Sequence, residues 1–324
     1  MLVLDCLIEI HGKSKKRTFT SVNSIDVSTS IRNLTDTATV VLPRKVNMKN
    51  KKLDEFIERG NEITIISGYL DIDKQTIFRG YITGVSSETP IRIECENEMW
   101  KLKQIKVAPK RYEKFKLKDF LSEYAPDIDL EMPENIEFGE VIIPEEKTVA
   151  NVIDYLKQNY PFNAFFDDKK MVAVLLTSTQ QNRKTVKFKK GLNIISDTLK
   201  YTLEKDIKIQ IVAKSILPDN KKLESTKGDK DGEVRTFFAP EYKTQSELDA
   251  FAENKLKTYK ADKMSGDFTA FGIPFVKKGD VVHLYDDDNP ERDNKEFIAD
   301  AVKYSFSEKG YRQIITLGDE IKQQ

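Results

Sequence analysis

Asp286-Asp287-Asp288-Asn289 is the densest acidic cluster in the chain, and a hard divalent cation wants several oxygens of this kind. The stretch lacks the glycine and the distal glutamate of an EF-hand loop, and it falls where a long hairpin loop is expected, so a solvated loop is the better reading. Two basic clusters, Lys13, Lys15, Lys16 and Arg17, then Arg44, Lys45, Lys49, Lys51 and Lys52, could meet nucleic acid or an acidic partner. They lack the interleaved aromatics that read single strands, which favours ordinary hairpin and helix-entry surface and leaves a protein partner open. His11 and His283 are the only histidines and lie far apart, so a zinc site of the usual ligands is disfavoured. Cys6 and Cys95, the only cysteines, sit on the apolar phase of alternating runs. They read as small buried hydrophobes in a protein folded under reducing conditions; a disulfide would need their strands to be neighbours. No G-x-S-x-G elbow, P-loop or dinucleotide fingerprint occurs. With 53 acidic residues some carboxylate pair is always available for glycoside cleavage, and nothing singles one out. Trp100 could be a ligand platform, but reads better as packing at a domain seam. The sequence therefore assigns no catalytic, cofactor-binding or metal-ligating residue, and implies no cofactor.

The elements around these residues are mostly strands. The 324 residues suffice for two or three domains, and 33% charged against 39% hydrophobic describes a well-solvated globular chain with no bilayer-spanning stretch. The first residues carry no basic region or sustained apolar core, so no signal peptide is expected. The formal charge of +0 disfavours binding through phosphate neutralisation. From Leu2 to Glu96 apolar residues alternate with polar ones, predicting six or seven short antiparallel strands in a closed or nearly closed barrel, with a short helix over Asn47 to Arg59. Leu117, Phe120, Leu121 and Tyr124, then Val149, Val152, Ile153 and Leu156, each mark one face of a helix. The second helix leads into a hairpin, Phe162–Phe166 and Met171–Leu175. Alternation returns at Ile207 to Ala213; Leu223 to Gly232 is polar and predicts an exposed loop. Thr244 and Glu247 form a capping box for a helix with Leu248, Ala252, Leu256 and Tyr259 on its buried stripe. Strands over Ser265–Phe271, Asp280–Tyr285, Phe297–Phe306 and Tyr311–Leu317 complete a second barrel.

One pattern occurs at both ends. Gly60-Asn61-Glu62-Ile63 and Gly279-Asp280-Val281-Val282 lie 219 positions apart, as do Phe78 and Phe297 in the runs that follow. Pro90-Ile91-Arg92-Ile93 then matches Gly310-Tyr311-Arg312-Gln313. Coincidence is the alternative, since polar-Gly-polar-strand is common in hairpins; a duplicated β-unit explains two matches at one offset. The fold class is thus mainly β with α+β: a first antiparallel barrel at 1–108, a small α/β domain at 109–190 and a second antiparallel barrel at 191–324.

Three stretches carry a resemblance: Arg59–Ile63 through Phe78–Val85 to Trp100-Lys101-Leu102; Thr148–Ile153 with the Phe165–Asp168 hairpin; and Gly272–Val282 closing at Gly310-Tyr311 and Leu317-Gly318. In their order and spacing the chain resembles the baseplate hub proteins of contractile phage tails, the late control gene D family, including hubs of PBSX-type prophages and phage-tail-like bacteriocins. The resemblance implies a structural virion protein of the tail baseplate, made in the bacterial host cytoplasm. It implies that both antiparallel β-barrels are tube-type, in a homotrimer whose six barrels adapt the sixfold tail tube to the threefold spike. Its partners would be itself, the tail tube protein, the spike protein and other baseplate proteins, with no membrane and no sequence-specific nucleic acid. Six similar barrels from three chains require two per chain, which the duplication supplies independently. Some relatives continue into a cell-wall hydrolase; the chain ends at Gln324, which leaves no room for one in this expectation. A tail-associated wall hydrolase with an unrecognised carboxylate pair is the enzymatic rival, and a nucleic-acid-binding barrel protein the second.

Overall fold

The computed structural model describes residues 3–12, 16–43, 57–86, 89–132, 135–160, 162–175, 183–217, 221–239, 242–261, 263–290 and 293–321. It is mainly β and divides into two compact units, Met1–Asp197 with Asp267–Gln324, and Thr198–Gly266.

The chain begins with β1 (Leu4–His11), β2 (Lys16–Phe19), β3 (Ser24–Ser30), β4 (Thr37–Val41), β5 (Glu62–Tyr69), β6 (Asp73–Val85) and β7 (Arg92–Glu96). Period-two alternation buries Cys6, Ile8, Ile10, Ile25, Val27, Val40, Ile63 and Ile65. Hydrogen-bonded neighbours run β3-β4-β7-β6-β5-β1-β2, all antiparallel. Among the described residues no ladder joins β3 back to β1. Most of the helix expected over Asn47 to Arg59 lies outside the described residues; Ile57 is buried, and Gly60 takes φ 90°.

After α1 (Met99–Leu102) come β8 (Lys110–Tyr112), α2 (Leu117–Tyr124), β9 (Asp129–Glu131), β10 (Val141–Ile143), α3 (Val149–Asn159), β11 (Phe162–Asp167) and β12 (Lys170–Leu175). The two helical stripes are buried as their spacing requires, sharing a core with Phe115, Phe138, Phe162 and Phe166. Thr148 caps α3 with Asn151 at the third helical position rather than a glutamate: the Asn151 N–H donates to Thr148 Oγ1 at 3.3 Å, and the Thr148 N–H to Asn151 Oδ1 at 3.0 Å.

The C-terminal part opens with β13 (Thr185–Lys189) and β14 (Ile194–Asp197). The second unit holds β15 (Lys200–Thr202), β16 (Ile209–Ile216), β17 (Lys222–Gly228), β18 (Glu233–Phe238), α4 (Gln245–Tyr259) and β19 (Lys263–Ser265). There α4 packs Leu248 and Ala252 on Ile209, Ile211 and Ala213. The loop expected over Leu223 to Gly232 is instead mostly strand. β17 pairs with β16 along its length, burying Ser225 while its other face stays polar, and only the turn after Gly228 is loop. An edge strand needs one partner's hydrogen bonds and little apolar surface, so its polar composition hid it. β20 (Asp267–Phe271), β21 (Val281–Tyr285), β22 (Lys295–Ser307) and β23 (Gly310–Glu320) return to the first unit.

The duplication is physical. The order β14-β20-β23-β22-β21-β13 repeats β3-β4-β7-β6-β5-β1 strand for strand. Gly60 and Gly279 both adopt positive φ, 90° and 83°. Each donates its N–H to the long strand, to Ile82 O at 2.7 Å and to Ala299 O at 2.6 Å. Each of those residues returns its N–H to the residue after the glycine, Asn61 O at 3.0 Å and Asp280 O at 2.8 Å. Even the irregularity recurs: the ladder slips between Ile82 and Gly84 against β7, and between Ala299 and Ala301 against β23. These registers correct two details. Ile63 faces Gly80 and Val282 faces Phe297, so Gly80, not Phe78, is the counterpart of Phe297. Val85 faces Ile93 and Val302 faces Ile315, so Arg92 matches Ile314 rather than Arg312. The β21–β22 hairpin is two residues shorter than β5–β6 and the β22–β23 hairpin five residues longer than β6–β7, which a fixed offset cannot register. The copies differ where β1 joins β5 antiparallel but β13 joins β21 parallel. They differ again between the counterparts of β3 and β4: one copy turns through 31–36, the other carries 203–262.

Candidate assembly interface

The two copies meet along one ladder. β22 is long enough to pair its first residues with β21 and its last with β3, so Ala301–Ser307 lies antiparallel to Ser30–Ser24. Val302, Tyr304, Phe306, Ile25, Val27 and Thr29 are buried along it, and Thr29 Oγ1 donates to Val302 O at 2.9 Å. Just beyond, the Ile31 N–H donates to Asp300 O at 2.9 Å, and the Arg32 guanidinium pairs with the Asp300 carboxylate.

A buried polar cluster locks this junction. Asp36 Oδ1 accepts the Ser30 N–H at 3.0 Å; Asp36 Oδ2 accepts Asn97 Nδ2 at 3.2 Å and pairs with Lys278 Nζ, beside Gly279. Lys278 Nζ also lies 5.3 Å from the centre of the Phe165 ring on β11. Burial pushes the Asp36 carboxyl above its ordinary range, against the Lys278 charge and three hydrogen bonds that pull it down. Nearby, Lys157 Nζ on α3 donates to Ala164 O at 2.8 Å and Arg32 O at 3.1 Å. Burial first, then the Lys278 charge, brings the Lys157 ammonium down to about 8. First copy, second copy and α/β segment therefore converge on one ion cluster. Its residue types fit a structural clasp: every carboxylate oxygen of Asp36 is occupied from within the chain.

The residues singled out in the sequence scatter around this junction. Asp286 is buried and staples its own loop, accepting Asn289 Nδ2 at 2.9 Å and the Asp288 N–H at 3.2 Å, while Asp287 pairs with Lys189 at 2.8 Å. The loop reading holds, but Asp286 is not solvated. Among the described residues no group of three or more His, Cys, Asp or Glu is arranged to hold a metal. His283 stacks on Tyr285 with centroids 4.4 Å apart, and Nε2 lies 2.9 Å from Asn294 Oδ1. Cys6 and Cys95 are buried free thiols on strands separated by two others; burial pushes Cys6 up to about 11 and Cys95 up as well. Trp100 stacks on Tyr81 at 5.4 Å within the first copy, against Gly60. Tyr81 donates its hydroxyl to Glu98 at 3.0 Å, and burial followed by the Glu98 charge raises its phenol. Lys16 pairs with Glu9 at 2.5 Å, whereas Lys13, Lys15, Arg44, Lys45, Lys49, Lys51 and Lys52 lie outside the described residues. The Asp36–Lys278 pair carried no sequence signal, because its members are 242 residues apart.

No protein-family model matches the chain, and no curated protein matches it. Solved structures do. The tail protein of Neisseria meningitidis superposes over 97% of this chain and 96% of its own, with a TM-score of 0.68 at 13% identity. The chain has a phage tail protein fold. The 43 kDa tail protein of prophage MuSo2 from Shewanella oneidensis shares this tail-protein fold over 97% of both chains, with a TM-score of 0.66 at 13% identity. So does the E. coli c3393 protein, a type VI secretion component described as similar to T4 tail proteins gp27 and gp5, over 96% of this chain and 76% of its own (TM-score 0.56, 11% identity).

Proposed function

We propose that the chain is the structural hub of a tail baseplate, a homotrimer that caps the distal end of the tail tube and adapts its sixfold symmetry to a threefold spike. The observation that carries this is the repetition of one six-strand unit, down to its bulge, inside a single chain of tail-protein fold. Three chains with two units each give six quasi-equivalent positions around an axis, the number a sixfold tube presents. In this proposal 1–108 and 191–324 are the tube-type barrels, with 203–262 inserted into the second. The α/β segment 109–190 faces other baseplate proteins. The hub works by templating, offering sheet edges and loops to tube and spike, and catalyses nothing. It would serve an infectious phage, a prophage or a phage-tail-like bacteriocin, all contractile injection systems, at the tail tip.

The test is electron-microscope averaging of the protein alone and mixed with tube and spike subunits of the same gene cluster. A ring with an open channel and six similar lobes supports the proposal. Irregular particles in every mixture overturn it. Lysis of purified peptidoglycan would revive the hydrolase reading.

A further inference from the structure

A cavity of about 230 Å³ has Asp36 and Lys278 in its wall, where first copy, second copy and α/β segment meet within the first unit. A water takes about 30 Å³ in the liquid, so the space admits a small ligand. Arg79 on β6, Asp167 and Asp168 at the β11–β12 turn, and Lys277, ahead of β21, carry the other charges of the lining. Two of its three carboxylates are engaged: Asp36 pairs with Lys278, and Asp168 takes Arg79 Nη1 at 2.6 Å. Asp280, beside Gly279, accepts the Lys277 N–H at 2.8 Å and lies in the field of Lys184. Two cations are not engaged. Lys277 is exposed, and its Nζ makes no hydrogen bond or ion pair among the described residues. The half-buried Arg183 guanidinium makes none either. Its Nη1 rests 1.6 Å from where a Cβ on Gly279 would stand, so the bare glycine next to Lys278 is its seat. Burial lowers this guanidinium from its ordinary range, against the pull of Asp167, Asp280 and Glu131. Asp167, the lining carboxylate without an ion pair, thus already feels Arg183. A guanidinium carries five donors, and leaving them without an acceptor as water is withdrawn is costly.

We infer that this cavity is a site for a small oxyanion, a phosphate or carboxylate group seated against Lys277 and Arg183. The paired oxygens of such a group match the guanidinium fork, and the flexible ammonium reaches the same group as a point charge. A cation is the poorer match, because Asp36 and Asp168 already hold Lys278 and Arg79. The lining draws Arg79 from the first copy, Lys277 from the second and Asp168 from the α/β segment, so a bound anion ties the three parts together at one point. The inference stands on the cavity within one chain and is independent of the hub proposal.

The test is isothermal titration of the full chain with inorganic phosphate and, separately, with succinate, at fixed ionic strength, followed by melting in the same buffers. Saturable binding of at least one probe is expected, with a melting temperature that rises as the site fills. Saturation by phosphate alone assigns a phosphate-type group, and by succinate alone a carboxylate. Lys277→Gln and Arg183→Gln should each weaken binding about tenfold or more. Lys118→Gln, at an exposed lysine on α2, should leave it unchanged. Phosphate also stabilises folded proteins by exclusion from their surface, but that effect does not saturate and survives both variants. Lys277 is exposed, so Lys277→Gln keeps the fold and decides the matter if Arg183→Gln does not fold. Absence of saturable binding by either probe, or binding undiminished in Lys277→Gln, overturns the site and leaves the hub proposal standing.

Discussion

Asp36 and Lys278 show how much one buried pair decides. Each is almost inaccessible to water, and the two pair directly at the junction of the copies. Removing one partner strands the other, so Asp36→Ala and Lys278→Met should each cost about 3–5 kcal/mol. The double variant should recover most of that loss, because a well-packed apolar pair is often no worse than a buried ion pair. Urea unfolding of the four proteins checks this, and simply additive losses would show the two are not coupled. Lys157 gives a pH signature. Its native value of about 8 lies below its ordinary 10.5, so the unfolded chain holds this proton more tightly. Stability from this group therefore rises with pH between about 8 and 10.5 and is lowest below 8. Lys157→Met should flatten that rise in denaturation midpoints; an unchanged slope would contradict the assignment. None of these three residues was legible in sequence, since a charged side chain announces neither burial nor a partner far along the chain. Asp286 misled in the same way: its cluster looked solvated, yet the side chain turns inward to close its own loop.

Elements were more legible, because they follow from local period. The stripes of α2, α3 and α4 and the alternation of the long strands fixed type and place before any tertiary contact was known. The Thr244–Glu247 box caps α4 as its spacing predicts, with the Glu247 N–H donating to Thr244 Oγ1 at 3.3 Å. Thr244→Ala should lower stability by about 1 kcal/mol, with faster amide exchange confined to the first turn of α4; global acceleration would contradict a local cap. β17 escaped notice because an edge strand needs no apolar run. Duplication was legible at the glycines, whose backbone requirement is local, but its register was not, since unequal hairpins shift the offset. Gly60 and Gly279 sit where an L side chain is strained, so alanine at either should cost about 1–2 kcal/mol. Gly60→Ala would also crowd the Trp100 ring at 3.3 Å, visible as a shifted tryptophan emission; two silent substitutions would refute the backbone requirement.

At the scale of the whole molecule, two copies of one sheet are joined edge to edge in a single chain. Within the chain the second copy's long strand takes the first copy's β3; under the hub proposal three such chains would make the ring. The relation between copies was suggested by sequence, but the ladder that joins them was not, because pairing between strands so far apart in the chain shows only in the fold. The mass of the purified protein by light scattering across a concentration series tests this account most directly. The account predicts a species of three times the 37.3 kDa chain, either alone or on adding tube or spike subunits. A 37.3 kDa monomer at every concentration, unchanged by those partners, would contradict it.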